Sequence, residues 1–310
     1  MISSFFEKTK PITHIVLAIA LFLFYFIRAF FGQNIQEISH ILPLELLTFF
    51  GLLVSLLAIG QMVRAEKVTE LNSFAMLFFV VLIVVFSEEL ANKNVIFTNF
   101  FLLLAIWRLF AVRSLKNVKH KIFDASLLIA SASLFYDWSL IFILLVFYVI
   151  GIYDRKALKN WLVPFVGLAT VFVLSFTYLQ WSGSLGFFKE HYRFTLGIFG
   201  SSSFFQALNV KALIYFILIF IVAFSVFIRL RNLGGGKLLM LRTLLVVFVF
   251  GVIVALLTPV DESPVLITFF PAAVFMGNYV EGIKKQKLLE ALLALCIVFP
   301  ILLFVLEINS

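Results

Sequence analysis

The sequence predicts an all-α fold, a polytopic integral membrane helix bundle of about eleven transmembrane helices, N-terminus cytoplasmic and C-terminus periplasmic. Three observations carry this. The 310 residues are 63% hydrophobic and 13% charged, with 41 phenylalanines and a mean hydropathy of +1.14. Ordinary soluble domains are about 45–50% apolar and about 25% charged. Too few polar side chains remain to cover the apolar surface, so lipid must cover it. The second observation is a series of apolar runs of near-spanning length, separated by short charged breaks. The third is that alternate breaks carry most of the Lys and Arg, the bias that sets orientation. A soluble enzyme, a nucleic-acid-binding domain and a disordered tail are thereby excluded. The net charge of +8 belongs to basic cytoplasmic loops, with no nucleic-acid partner.

The expected spans are 12–31, 43–63, 72–87, 95–112, 122–136, 139–153, 161–181, 210–228, 241–258, 264–280 and 288–306. Together they make residues 1–310 a single transmembrane domain. The run from Ile12 to Phe31 is too long for a cleaved signal, and no small-residue cleavage site follows, so it is the first span. Segments 122–136 and 139–153 are short, and Asp137-Trp138 alone separates them. They form either a tight hairpin or one kinked helix. Basic residues decide for the hairpin. Lys8, Lys10, Arg64, Lys67, Arg113, Lys116, Lys119, Lys121, Arg155, Lys156, Lys159, Arg229, Arg231, Lys237, Arg242, Lys284, Lys285 and Lys287 fall on one side only if the chain crosses twice there.

Acidic residues segregate oppositely. Glu37, Glu45, Glu88, Glu89, Asp137, Glu190, Asp261, Glu262 and Glu307 all fall on the outer side. Acids contribute little to orientation, so any chemistry is expected at the outer face. The longest non-span segment, 182–209, reads SGSLGFFKEHYRFTLGIFGSSSFFQALN and suits a helix lying in the interface. Gly51, Ala130, Ser131 and Gly167 are small enough to let helices approach closely.

Chemistry-bearing residues are few. There is no phosphate-cradling glycine loop, no His-Glu-x-x-His and no nucleophile elbow. His14, His40, His120 and His191 are scattered, and the single Cys296 forms no internal disulfide and no structural zinc site. No metal site and no resident cofactor is expected, although adjacent outer carboxylates have donors for a divalent cation. Arg28 ends the first span, and Arg108 snorkels to the cytoplasm. Glu88-Glu89 is a solvated loop or a pair whose repulsion raises one pKa. Asp137 is a turn residue or cap, and Asp261-Glu262 precedes a helix start at Pro264. Lys189, His191 and Arg193 form a cationic, aromatic-rich segment suited to a lipid phosphate or to anchoring on anionic headgroups.

Two resemblances bear on function. The stretches SFFEKTKP, NSFAMLFFVVLIVVFSEELANKN, FFLLLAIWRLFAVRSLKNVKHKIFDASLLIASASLFYDW and NWLVPFVGLATVF resemble an uncharacterised multi-spanning inner-membrane family of Bacteroidota. That implies a bacterial inner membrane and no particular activity. More faintly, FDASLLIASASLFYDWSLIFILLVFYVIGIYDRK and ESPVLITFFPAAVFMGNYVEG resemble the C-type, polyprenyl-phosphate-dependent membrane glycosyltransferases, over roughly residues 72–181 and 258–285. The chain departs from that superfamily at the first outer loop, GQNIQEISHILP, which offers Glu37 alone, with Glu45 just inside the next span. No paired Asp or Asp-x-Asp is present.

The resulting expectation is handling of a polyprenyl-phosphate-linked sugar at the outer face, with a membrane lipid as partner. Arg28, Lys189, His191 and Arg193 bind the phosphate-bearing substrate. One carboxylate among Glu37, Glu88, Asp137 and Asp261 takes the acceptor proton. A non-catalytic scaffold bound to another membrane protein of an envelope-assembly or export complex is the alternative. A lipid or small-solute transporter is the third reading, and would need polar groups at the midplane.

Overall fold

The computed structural model describes residues 2–7, 10–31, 35–70, 72–196, 209–231, 235–259 and 264–309, without the side chains of 35–39 and 307–309. Most of the described residues are helical, and none is in a strand. In chain order the α-helices are α1 (Ile2–Phe6), α2 (Pro11–Phe30), α3 (Ile35–Glu66), α4 (Phe74–Val85), α5 (Lys93–Ala111), α6 (Val118–Ser133) and α7 (Ile143–Tyr153). They continue as α8 (Leu158–Trp181), α9 (Gly186–His191), α10 (Val210–Leu230), α11 (Gly236–Leu257), α12 (Phe269–Glu281) and α13 (Gln286–Asn309). Tight 3-10 turns at Ser87–Ala91, Asp137–Phe142 and Val265–Thr268 interrupt the sequence of helices.

Among the described residues seven helices are long and apolar enough to cross a bilayer: 11–30, 40–66, 93–114, 158–181, 210–230, 236–257 and 286–306. The chain is therefore of the multi-pass helical membrane class. The other expected spans fall on shorter helices, α4, α6, α7 and α12. Helix α4 has 12 residues, which extend about 18 Å against a hydrocarbon core about 30 Å thick. It stands at the centre, with every residue from Phe74 to Val84 buried. Helix α12 packs against it, its Gly277 against the backbone of Ala75. Short helices and 3-10 turns cannot face lipid, where each unpaired backbone group is costly, but they are tolerated inside protein. The chain surrounds α4 and α12 with the longer α2, α3, α10, α11 and α13.

On the opposite flank α5, α6 and α8 pack in succession. A Cβ on Gly167 of α8 would lie 2.7 Å from Ser126 Cβ of α6, so only glycine permits this approach. Gly51 does not have that role, because its Cβ would meet nothing closer than Phe97 at 3.8 Å. Ala130 instead lines a groove. Of the seven long apolar helices α8 is the most exposed, with Phe165, Phe172, Leu174 and Trp181 outward.

Contacts sort the connections into two ends. At one end Glu290 accepts from the Ile2 and Ser3 amides, Ser73 N donates to Phe6 O, Asn72 donates to Glu281, and Lys237 pairs with Glu281 at 3.7 Å. Helix α7 packs against both α6 and the 112–114 turn that leads into it, an arrangement that suits the hairpin rather than one kinked helix. Tyr136, extended at φ −146°, makes the break between α6 and the 137–153 segment. Arg108 does more than snorkel, since it pairs with Asp124 across α5 and α6 at 3.1 Å.

Candidate functional site

The opposite end carries the residues expected on the outer side. Segment 182–209 is helical over Gly186–His191 and non-helical to Leu196, with 197–208 outside the described residues. Three contacts fix its described part. Ser133 Oγ donates to Ala130 O at 2.7 Å, so the Tyr192 hydroxyl is the donor in its 3.0 Å contact with Ser133 Oγ. His191 Nε2 lies 2.7 Å from Ser133 O. Asp137 Oδ2 accepts from Phe194 N at 2.8 Å while Oδ1 accepts from Trp138 N at 2.7 Å. The Trp138 indole adds a bond to Thr195 O, and its ring packs edge-on to Phe194.

These contacts define chemical states. A carbonyl only accepts, so His191 Nε2 carries a proton, and in that tautomer of a neutral imidazole Nδ1 is the acceptor nitrogen. The imidazole is stacked on Phe187 at 4.7 Å, which fixes its plane. Asp137 acts first as a staple, one oxygen on each of two backbone amides, as its turn reading anticipates.

Segment 188–195 separates two spaces. Phe188, Lys189, Tyr192 and Phe194 line an apolar groove of about 710 Å³ between α6 and α8. Glu190, His191, Arg193 and Thr195 line a polar cavity of about 420 Å³, closed by Asn92, Asn94, Tyr136 and Asp137. Phe172 and Phe176, on the groove's α8 wall, are exposed. An apolar channel on the lipid-facing flank thus adjoins a polar chamber holding an acid, an imidazole and a guanidinium.

The remaining outer residues lie elsewhere. Arg28 lines a different cavity of about 220 Å³ with Tyr25, Glu45 and Lys93. There the buried Glu45 accepts from Tyr25 Oη at 2.5 Å and pairs with Lys93 Nζ at 2.6 Å. Glu88 pairs with Lys211 at 3.0 Å, and that ammonium also sits 5.0 Å over the Phe86 ring. Its neighbour Glu89, in the 3-10 turn beyond α4, accepts from Leu266 N at 3.4 Å, and burial pushes its carboxyl up to about 8. The expected repulsion with Glu88 adds to this, after burial. Glu37 falls in the first turn of α3, with its side chain outside the described ones, and Asp261 lies outside the described residues altogether.

The expected acids therefore do not share one pocket; among the described residues they divide among three polar clusters. The segment SEELANKN (87–94) touches all three. Glu88 and Glu89 reach α10 and the α12 entry, Leu90, Ala91 and Lys93 face the Arg28 cavity, and Asn92 and Asn94 face the His191 cavity. Of the expected substrate-binding residues, Lys189, His191 and Arg193 come together and Arg28 stands apart. Sequence reasoning missed Ser133 and Tyr192, whose hydroxyls give no periodic signal, and the pairing of Glu45 with Lys93. Among the described residues no three His, Cys, Asp or Glu side chains are grouped to hold a metal.

Compared with protein-family models, with characterised proteins and with solved structures, the chain shows no match in any of the three. Its class is thus defined by its own geometry, a multi-pass helical membrane protein with an amphiphilic site at one end.

Proposed function

We propose that the protein binds a polyprenyl-phosphate-linked sugar at the outer face of a bacterial inner membrane and supports glycosyl transfer from it. One observation carries this reading: an apolar groove on the lipid-facing flank and a polar cavity lie on either side of the same eight residues, 188–195. A prenyl tail suits the groove, and an anionic head suits Lys189 and Arg193 at its rim. Pockets of these volumes lie in the usual ligand-site range of about 300–1,000 Å³.

In this reading the two cations stabilise the charge on the departing phosphate. His191 Nδ1 accepts the acceptor-hydroxyl proton, its ring held by Phe187 and by the Nε2–H bond to Ser133. Asp137 shapes the cavity by clamping residues 192–196. Glu190 supplies a second carboxylate at the cavity wall. Glu88, committed to Lys211, serves the scaffold instead. The chain crosses the membrane eleven times with the N-terminus inside. The gathering of basic connections at the end opposite the cavities supports that topology.

Binding of farnesyl phosphate to the purified full chain in neutral-lipid nanodiscs tests the reading. Wild type should prefer it to farnesol, which lacks the phosphate, and Arg193→Gln should weaken it on the order of tenfold. Equal binding of farnesol and farnesyl phosphate would remove the head-group site. His191→Gln should retain binding and lose transfer.

A further inference from the structure

The cavity around Arg28 has an unspent donor set. The Glu45 carboxylate is committed, Oε2 to Tyr25 Oη at 2.5 Å and Oε1 to Lys93 Nζ at 2.6 Å. Tyr25 and Glu45 are buried, so this network is a fixed frame rather than a solvated surface pair. An ammonium has three N–H groups and a guanidinium five. Lys93 spends one on Glu45, and Arg28 has no hydrogen-bond or ion-pair partner among the described residues. Among the described residues, two cations against one carboxylate give the cavity an excess positive charge. Its volume, about 220 Å³, falls below the roughly 300 Å³ at which drug-sized ligand sites begin. A small, acceptor-rich anion fits both the size and the donors, and a planar guanidinium fork beside an ammonium matches tetrahedral phosphate oxygens.

We propose that Arg28 and Lys93 form a phosphate-binding site at the outer face, separate from the groove and the His191 cavity. The phosphate is either free or carried on a lipid head. The wall formed by residues 90–94 stands between the two sites, with Lys93 facing one and Asn92 and Asn94 the other. A chain that holds two anions on either side of one wall can present a phosphorylated second ligand to whatever occupies the larger cavity.

The test uses full-length protein and Arg28→Gln, which leaves the Tyr25–Glu45–Lys93 frame intact and removes an exposed side chain. In neutral detergent, inorganic phosphate is titrated by calorimetry. In a parallel arm, phosphatidylglycerol retention is read by native mass spectrometry. Free-phosphate binding that Arg28→Gln weakens by about tenfold or more, and that Arg28→Lys partly restores, supports a free-phosphate site. Retention of phosphatidylglycerol lost in Arg28→Gln, without free-phosphate binding, supports the lipid-borne source. If neither probe distinguishes Arg28→Gln from wild type, the site does not exist. This site is independent of the groove: Arg193→Gln should leave both probes unchanged, and farnesyl phosphate should be insensitive to Arg28→Gln.

Discussion

Asp137 illustrates how a residue with an outer-face charge can work through shape. Both of its oxygens are engaged by backbone amides, those of Trp138 and Phe194. An asparagine there has one acceptor and turns an NH₂ towards one of those amides. Asp137→Asn should cost about 1–3 kcal/mol locally, read as faster hydrogen exchange over residues 192–196 while α4 and α12 stay protected. Unchanged exchange there would mean the staple is not what holds the segment. Glu89 makes a second prediction for a single side chain. Its carboxyl sits near 8 when folded and at 4.5 in an unperturbed glutamate, so the native state holds a proton that the unfolded chain releases. Stability from this group is full below about 4.5, falls as pH rises, and levels off above about 8. Thermal denaturation should show this decline between about pH 5 and 8 in wild type, and Glu89→Gln should lack that component. The expected grouping of Glu88 and Glu89 with the other acids was legible from charge placement; their different fates were not. Which of two adjacent acids meets Lys211 and which meets a buried amide depends on the 3-10 turn at Ser87–Ala91.

Among the helices, the apolar runs and basic breaks located every segment expected to span. They could not rank them. Helix α4 and the exposed α8 are both apolar, because lipid and a protein core select the same side chains. Length carried only part of the distinction, since α4 and α12, with 12 and 13 residues, occupy the centre, while the still shorter runs 122–136 and 139–153 do not. Small residues gave a partial signal, in which Gly167 is a helix contact and Gly51 is not. This yields opposite signs for one substitution. Gly167→Ala places a methyl 2.7 Å from Ser126 Cβ and 3.2 Å from the Leu127 amide and the Phe123 carbonyl, and should destabilise by about 1–3 kcal/mol. Gly51→Ala meets only Phe97 at 3.8 Å and should stabilise by about 0.5–1 kcal/mol through helix propensity. Thermal unfolding in one detergent compares them directly; equal shifts would contradict the assigned packing of α6 on α8.

Across the bundle as a body, the two ends differ in kind. One gathers the N-terminal segment, basic connections and the Glu281 and Glu290 networks; the other holds the groove and the Arg28 and His191 cavities. Eleven crossings predict that alkaline phosphatase fused after residue 310 is active outside, and that a fusion in the 154–158 connection is inactive. An inactive C-terminal fusion would remove one crossing from the topology. The clustering of acids at one end was legible, but not whether loops distant in the chain bring them into one cavity; among the described residues the backbone parcels them on either side of residues 87–94. The groove itself left no trace in the sequence, because it is made by α6, α8 and residues 185–194 together, segments whose mutual packing no local pattern encodes.

The proposed function requires a lipid tail to lie between α6 and α8 while its anionic head crosses residues 188–195. Photolabelling in nanodiscs with a prenyl phosphate bearing a tail diazirine reads that placement. Adducts concentrated on residues 168–176 of α8 and on 188–194, displaced by unlabelled prenyl phosphate but not by prenol, are the expected outcome. Labelling spread equally over the exposed faces of α2 and α13, and insensitive to competition, would refute it.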